Sequence, residues 1–307
     1  MHCIARSLVV LALGGALLHP TAPVSAQDGR PPEVLPAGIR GGSEVVPEPR
    51  VEVRHYTFPE TGESLPYSVF VSSKIKPGQK ASLVLALRGF TGTTLTFVRG
   101  SAVDQAEQGG YILVGALGYN NRAGFGVPPR PMRPPGATGA PGAAAAPPPA
   151  DRPLPPLIGG TLETDPALVT QYSEKDVMNV LARVRQEFPV DDQRIYLMGH
   201  SQGGGGARHL AEKYADTWAG VALIAPAIFD VNVTPESRIA KLPLMIAIGE
   251  KDFLLDGVRR FHQQLEQRGI AHEYVEVPGV DHGTIIMSSM PEVFRFFPKH
   301  TQPTVRP

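Results

Sequence analysis

Residues 194–214 read RIYLMGHSQGGGGARHLAEKY. The first six residues, RIYLMG, are an apolar run with the β-branched and aromatic content of a strand. The segment after Gln202 has helical spacing, and GHSQG makes a sharp turn between the two. A serine placed between small residues on a strand–turn–helix corner is held exposed above a sheet, where it can act as a nucleophile. Gly-x-Ser-x-Gly is a short pattern in a chain with 33 glycines, so its flanking context has to carry the inference. Gly204, Gly205 and Gly206 cost the helix start roughly 1 kcal/mol each relative to alanine. Close helix–sheet packing or room for a bulky substrate has to compensate.

Outward from this turn the chain alternates. Short β-rich runs fall at 82–88, 111–117, 194–199, 220–226, 242–249 and 272–278. Helical segments are expected at 95–109, 173–188, 202–215 and 255–268, with a last short one at 290–297. Ser173 is read as the cap of the second, ahead of Val177, Val180, Leu181, Val184 and Phe188 at helical spacing. Two alternating segments, 51–58 and 66–72, are read as an antiparallel pair at one sheet edge. The expected fold class is α/β, a mostly parallel doubly wound sheet with an antiparallel N-terminal edge.

Composition narrows the setting. Arg6 followed by the apolar stretch 8–18 and by Val24-Ser25-Ala26 has the pattern of a signal peptide over residues 1–26, too short to span a bilayer. The single cysteine, Cys3, lies in this leader. The mature chain then has no thiol for a disulfide or a cysteine–zinc site. Removing Arg6 with the leader leaves 28 basic against 29 acidic residues and no run of either sign. That balance provides no electrostatic footprint for nucleic acid. A secreted or periplasmic protein without stable membrane insertion is expected. Residues 27–49 read as a flexible lead-in, 50–300 as one catalytic domain and 301–307 as a tail. Residues 127–156 hold twelve prolines and few large apolar side chains, the composition of a disordered or polyproline-like insertion.

A serine needs a base, and the base a carboxylate. Seven histidines follow the leader. His209 and His262 fall in helices, His55 on an early strand and His300 in the tail. His272 opens a strand at the wrong edge, and the His200 ring should turn away from the exposed side of the serine. His282, just past strand 272–278, emerges at the same edge as Ser201 and is the expected base. Asp252, just past strand 242–249, is the expected acid. Asp230, Asp256 and Asp281 are the alternatives, the last two better suited to capping a helix and shaping a turn. The oxyanion donors are expected to be the backbone N–H groups of Gln202 and of Phe90, in the loop RGFTGTT. The Phe90 ring then walls the acyl site or packs in the core.

The order Ser201, Asp252, His282 resembles that of the α/β-hydrolase superfamily. Residues 66 to about 300 resemble secreted esterases of the polyhydroxybutyrate depolymerase and feruloyl esterase type, and prolyl-oligopeptidase-like catalytic domains are similar in the same stretch. The segments carrying the likeness are LALRGFTGT, KDVMNVLARVRQEFPVDDQRIYLMGHSQGGGGARHLAEKY, IAIGEKD and VDHG. Arg88 stands where many relatives have histidine, and Gln202 where methionine is common. With no repeated-strand propeller ahead of this stretch, a full oligopeptidase architecture is not expected. The resemblance implies a serine hydrolase of small or polymeric carboxylic esters, with no metal or organic cofactor. A peptidase on the same fold is the nearest alternative, and a non-catalytic binding protein on a hydrolase scaffold the alternative from another class.

Overall fold

The computed structural model describes residues 48–129, 154–228 and 232–302. The leader expected at 1–26, nearly all of 27–49, most of 127–156, Asp230 and the end of the tail lie outside the described residues.

Eight strands form one sheet: β1 (Glu52–Thr57), β2 (Ser64–Val71), β3 (Ala81–Leu87), β4 (Tyr111–Ala116), β5 (Val190–His200), β6 (Gly220–Ile224), β7 (Leu244–Gly249) and β8 (Glu273–Val277). Their spatial order is β1-β2-β4-β3-β5-β6-β7-β8. β2 runs antiparallel to both neighbours, β1 and β4, and every pairing from β4 to β8 is parallel. Every residue of β3, β4, β6 and β7 is buried, so both faces of the central sheet are covered. This is why those strands read as unbroken apolar runs rather than as alternation.

The connecting helices are α1 (Gly100–Gly109), α2 (Pro166–Glu187), α3 (Gln202–Lys213), α4 (Leu255–Gln267), α5 (Ile285–Ser288) and α6 (Met290–Phe296). α5 has no counterpart among the expected helices, and two others start away from their expected positions. α1 starts at Gly100 rather than at 95, because the residues before it turn back on themselves, with Gly92 N–H on the Gly89 carbonyl and Thr96 N–H on that of Thr93. α2 begins at Pro166, two turns before Ser173. Its cap is Asp165, whose carboxylate accepts from the N–H groups of Ala167 and Leu168 at 2.8 and 3.1 Å. Asp followed by Pro at the first helical position is itself a start signal. Ser173 is instead buried within the helix, and its hydroxyl receives the Phe125 N–H.

α2 and α3 are joined through Glu174. Its carboxylate accepts from His209 Nε2 at 2.6 Å, Lys213 Nζ at 2.5 Å and Tyr214 Oη at 2.6 Å. Burial disfavours this carboxylate, and those three donors more than offset it, so its pKa is lowered. His209 therefore belongs to a contact between helices.

Candidate active site

β5 delivers Ser201 at its C-terminal end, with φ 56° and ψ −117°. Such a left-handed conformation costs a non-glycine residue about 1–3 kcal/mol and persists only where the surroundings enforce it. Here the Ser201 N–H donates to the Ile224 carbonyl at 3.0 Å, and the Ser201 carbonyl accepts from Gly205 and Ala227 at 3.1 and 2.8 Å. Thr91, Tyr119, Phe125 and Ala225 also have positive φ. All five of these residues follow the C-terminal ends of β3 to β6, so the backbone strain collects at one edge of the sheet.

The glycine run has a packing cause. A β-carbon at Gly203 would run into the Leu87 and Arg88 carbonyls, and one at Gly199 into the Gly203 carbonyl. One at Gly206 would strike the Phe125 side chain. Close approach of α3 to the ends of β3 and β5 therefore offsets the weak helix propensity. Gly203→Ala is expected to lose about 1–3 kcal/mol, because backbone carbonyls cannot step aside as a side chain can. Calorimetry should read this as a fall of roughly 2–4 °C in Tm per kcal/mol.

Asp252 and His282 come from the loops after β7 and β8, which are tied together. The Glu250 N–H donates to the Val277 carbonyl at 3.0 Å and the Lys251 N–H to that of Val280 at 2.9 Å. The Gly279 N–H donates to Glu250 Oε2 at 2.7 Å. This arrangement holds Asp252 Oδ2 2.8 Å from His282 Nδ1, and places His282 Nε2 2.9 Å from Ser201 Oγ. The Asp252 side chain is fully buried, and its Oδ1 accepts from the Leu254 N–H at 2.8 Å. With the carboxylate accepting a hydrogen bond from Nδ1–H, Nε2 is left to accept from the serine hydroxyl.

Two further rings meet His282. His200 is buried, and its ring centroid is 4.5 Å from that of His282. Its Nε2–H donates to the His282 carbonyl at 2.8 Å. Burial first, then the neighbouring His282, push the His200 pKa down to about 3, so it stays neutral. The bond to His282 was not legible in the sequence, because it depends on a loop eighty residues away. Phe253, more than half exposed, has its ring centroid 4.3 Å from that of His282.

Of the other candidates, Asp281 bonds locally to the Gly283 and Thr284 N–H groups, and Asp256 lies in the first turn of α4. His262 and His272 bond each other, His55 is on β1, and His300 follows α6.

The loop after β3 abuts the serine, since a β-carbon on Gly89 would come 3.4 Å from Ser201 Cβ. The Gly89 carbonyl accepts from Arg88 Nη1 and from the Gly92 N–H, each at 3.0 Å. A planar trans peptide then turns the Phe90 N–H the opposite way. The Phe90 ring is about half exposed, so it is not a core residue. Gln202 opens α3, where a backbone N–H has no partner within the helix.

Residues 169–244 match the family model described as serine aminopeptidase, S33, about a quarter of the chain. No curated protein matches the sequence. Among solved structures, the chain is similar to the fluorophosphonate-binding serine hydrolase F of Staphylococcus aureus, at 15% identity and a TM-score of 0.55, over 80% of this chain and 97% of that one. It is similar to an S-formylglutathione hydrolase from Agrobacterium tumefaciens at 18% identity and 0.56, over 81% and 94%. A ferulic acid esterase from Anaeromyces mucronatus, solved with ferulic acid, matches at 15% identity and 0.56, over 85% and 94%. Together with the strand order and the strained serine between β5 and α3, these likenesses identify the architecture. The chain has the α/β-hydrolase fold.

Proposed function

We propose that this chain is an exported serine hydrolase of carboxylic esters, working through an acyl-enzyme on Ser201. The observation that carries the reading is the unbroken hydrogen-bonded line from Ser201 Oγ through His282 to the buried Asp252. The Ser201 proton passes to His282 Nε2 as Oγ attacks the ester carbonyl. The oxyanion is received by the N–H groups of Gln202 and Phe90. His282 then gives its proton to the departing alcohol. Water, activated by the same histidine, releases the acid and regenerates the serine. Phe90 and Phe253, exposed beside this machinery, offer apolar contact to the acyl or alcohol group. Feruloyl, acetyl and polyester substrates fit this reading, and the fold's likeness to a ferulic acid esterase supports the first of them. Removal of residues 1–26 on export would leave the enzyme periplasmic or secreted, with no nucleic-acid partner and no membrane insertion.

A peptidase is the second reading, favoured by the family model over residues 169–244. An aminopeptidase has to hold the substrate's ammonium group, whereas the charge buried beside Gln202 and Phe90 is itself a cation, Arg88. The deciding experiment compares kcat/KM on an ester and an amide with the same acyl group, using residues 27–307. Strong ester turnover with negligible amide cleavage is expected. Comparable amide cleavage would move the assignment to peptides, and failure of Ser201 to react with a fluorophosphonate would point to a binding protein.

A further inference from the structure

Arg88 is among the largest fully buried side chains, only 1% exposed, and among the described residues none of its hydrogen bonds goes to a carboxylate. Burying a guanidinium is costly unless its hydrogens are satisfied. All five of its N–H donors have acceptors. Nε donates to the Leu117 carbonyl at 2.8 Å, and Nη1 to the Gly89 carbonyl and Gln202 Oε1 at 3.0 and 3.1 Å. Nη2 donates to the Asn120 carbonyl and, at 2.9 Å, to that of Ala123. The Phe125 ring covers the guanidinium carbon at 4.8 Å. Asp176, the carboxylate whose charge it feels, is itself engaged by the Gly118 N–H and Tyr56 Oη.

We propose that Arg88 is the positioning residue of the oxyanion hole, its guanidinium fixing both backbone donors through the loops that carry them. The inference rests on the ester-hydrolase reading and goes beyond it. Nη1 is the atom common to both sides of the hole. One of its hydrogens holds the Gly89 carbonyl, which sets the Phe90 N–H on the far side of the same peptide. The other holds the Gln202 side chain, whose Nε2 reaches on to the Arg122 carbonyl at 3.0 Å. Nε and Nη2 meanwhile anchor the loop after β4. That loop supports the loop after β3 in turn, through the Thr91 N–H on the Asn121 carbonyl at 2.8 Å. The buried positive charge behind the Gly89 carbonyl also polarises that peptide, making the Phe90 N–H a stronger donor. A lysine cannot take over, because its three donors radiate from one point and do not form a planar fork.

The test uses Arg88→Lys and Arg88→Ala in the full mature chain. Loss of a positioned oxyanion donor costs about 10²–10³-fold in kcat. Both variants are expected to fall by about 10²-fold in kcat, with KM within about threefold, because the effect is confined to the transition state. The Ki of a trifluoromethyl ketone, which forms a tetrahedral adduct on Ser201, should rise in parallel with the loss in kcat. Guanidinium chloride at sub-denaturing concentration should restore part of the kcat of Arg88→Ala and none of that of Arg88→Lys. If Arg88→Ala does not fold, Gln202→Leu takes its place: it removes one Nη1 acceptor, keeps the backbone N–H and should weaken the ketone adduct in a folded protein whose Tm is lowered only by the one guanidinium N–H left without an acceptor. Folded variants that keep kcat and ketone affinity within threefold of wild type would overturn the proposal. So would losses that follow Tm and KM without rescue. Turnover by the wild-type protein judges the ester reading separately, since only the ratio of variant to wild type bears on Arg88.

Discussion

Ser201→Ala is expected to lower kcat on a good ester substrate by about 10⁶-fold, with KM little changed. The substitution removes the atom proposed to form the acyl bond. It leaves His282, Asp252 and the backbone N–H groups of Gln202 and Phe90 in place. Residual catalysis should therefore stay above the uncatalysed rate by about 10³–10⁴-fold, since the oxyanion site and substrate binding survive. Stability should hardly move: the strained backbone is enforced by the Ile224, Gly205 and Ala227 bonds, none of which involves the hydroxyl. Steady-state kinetics with a melting curve on the same sample checks both halves. A folded variant retaining more than about 1% of kcat would require another nucleophile.

Asp252→Asn is expected to cost about 10⁴-fold in kcat near neutral pH without unfolding the protein. The amide is isosteric, and its oxygen can still receive the Leu254 N–H that Asp252 Oδ1 now accepts. In place of Oδ2, however, the amide nitrogen would face His282 Nδ1 at 2.8 Å. An N–H there forces Nδ1 to accept, which moves the ring proton to Nε2 and points it at Ser201 Oγ. In that tautomer the histidine cannot take the serine proton. The imidazolium formed during attack also loses its buried counter-charge. Asp256→Asn, in the first turn of α4, should stay within twofold of wild type on the same assay. An Asp252→Asn enzyme within tenfold of wild type would reduce the carboxylate to a loop anchor.

Most of the sheet was legible because its central strands are buried on both faces and so spell unbroken apolar runs, as in SLVLALR and LPLMIAIG. The three residues that meet at the site could be named because each follows a strand-like run, and parallel strands bring those ends to one edge. Harder to read were features that depend on distant partners. Ser173 has the composition of a cap, yet Asp165 and Pro166 start the helix and Ser173 instead holds the Phe125 N–H. The cost of the glycines in α3 was visible in the sequence, but what offsets it, the carbonyls of Leu87 and Arg88, was not. Arg88 itself registered only as a residue out of pattern. Its five acceptors are spread over three segments between residues 89 and 202, and only the folded chain brings them around one guanidinium. The neutral His200 was likewise unreadable, because its partner is a backbone carbonyl on another loop.

In the proposed reaction Ser201 carries the acyl group of an ester during turnover. The most direct test mixes the mature protein rapidly with a p-nitrophenyl ester, quenches in acid at short times, and maps the adduct by peptide mass spectrometry. A burst of nitrophenol close to one equivalent of enzyme is expected where deacylation is the slower step, with an acyl mass on the peptide bearing Ser201 that is absent from Ser201→Ala. Ester turnover with no acyl adduct on that peptide, or with the adduct on another residue, would contradict this role of Ser201.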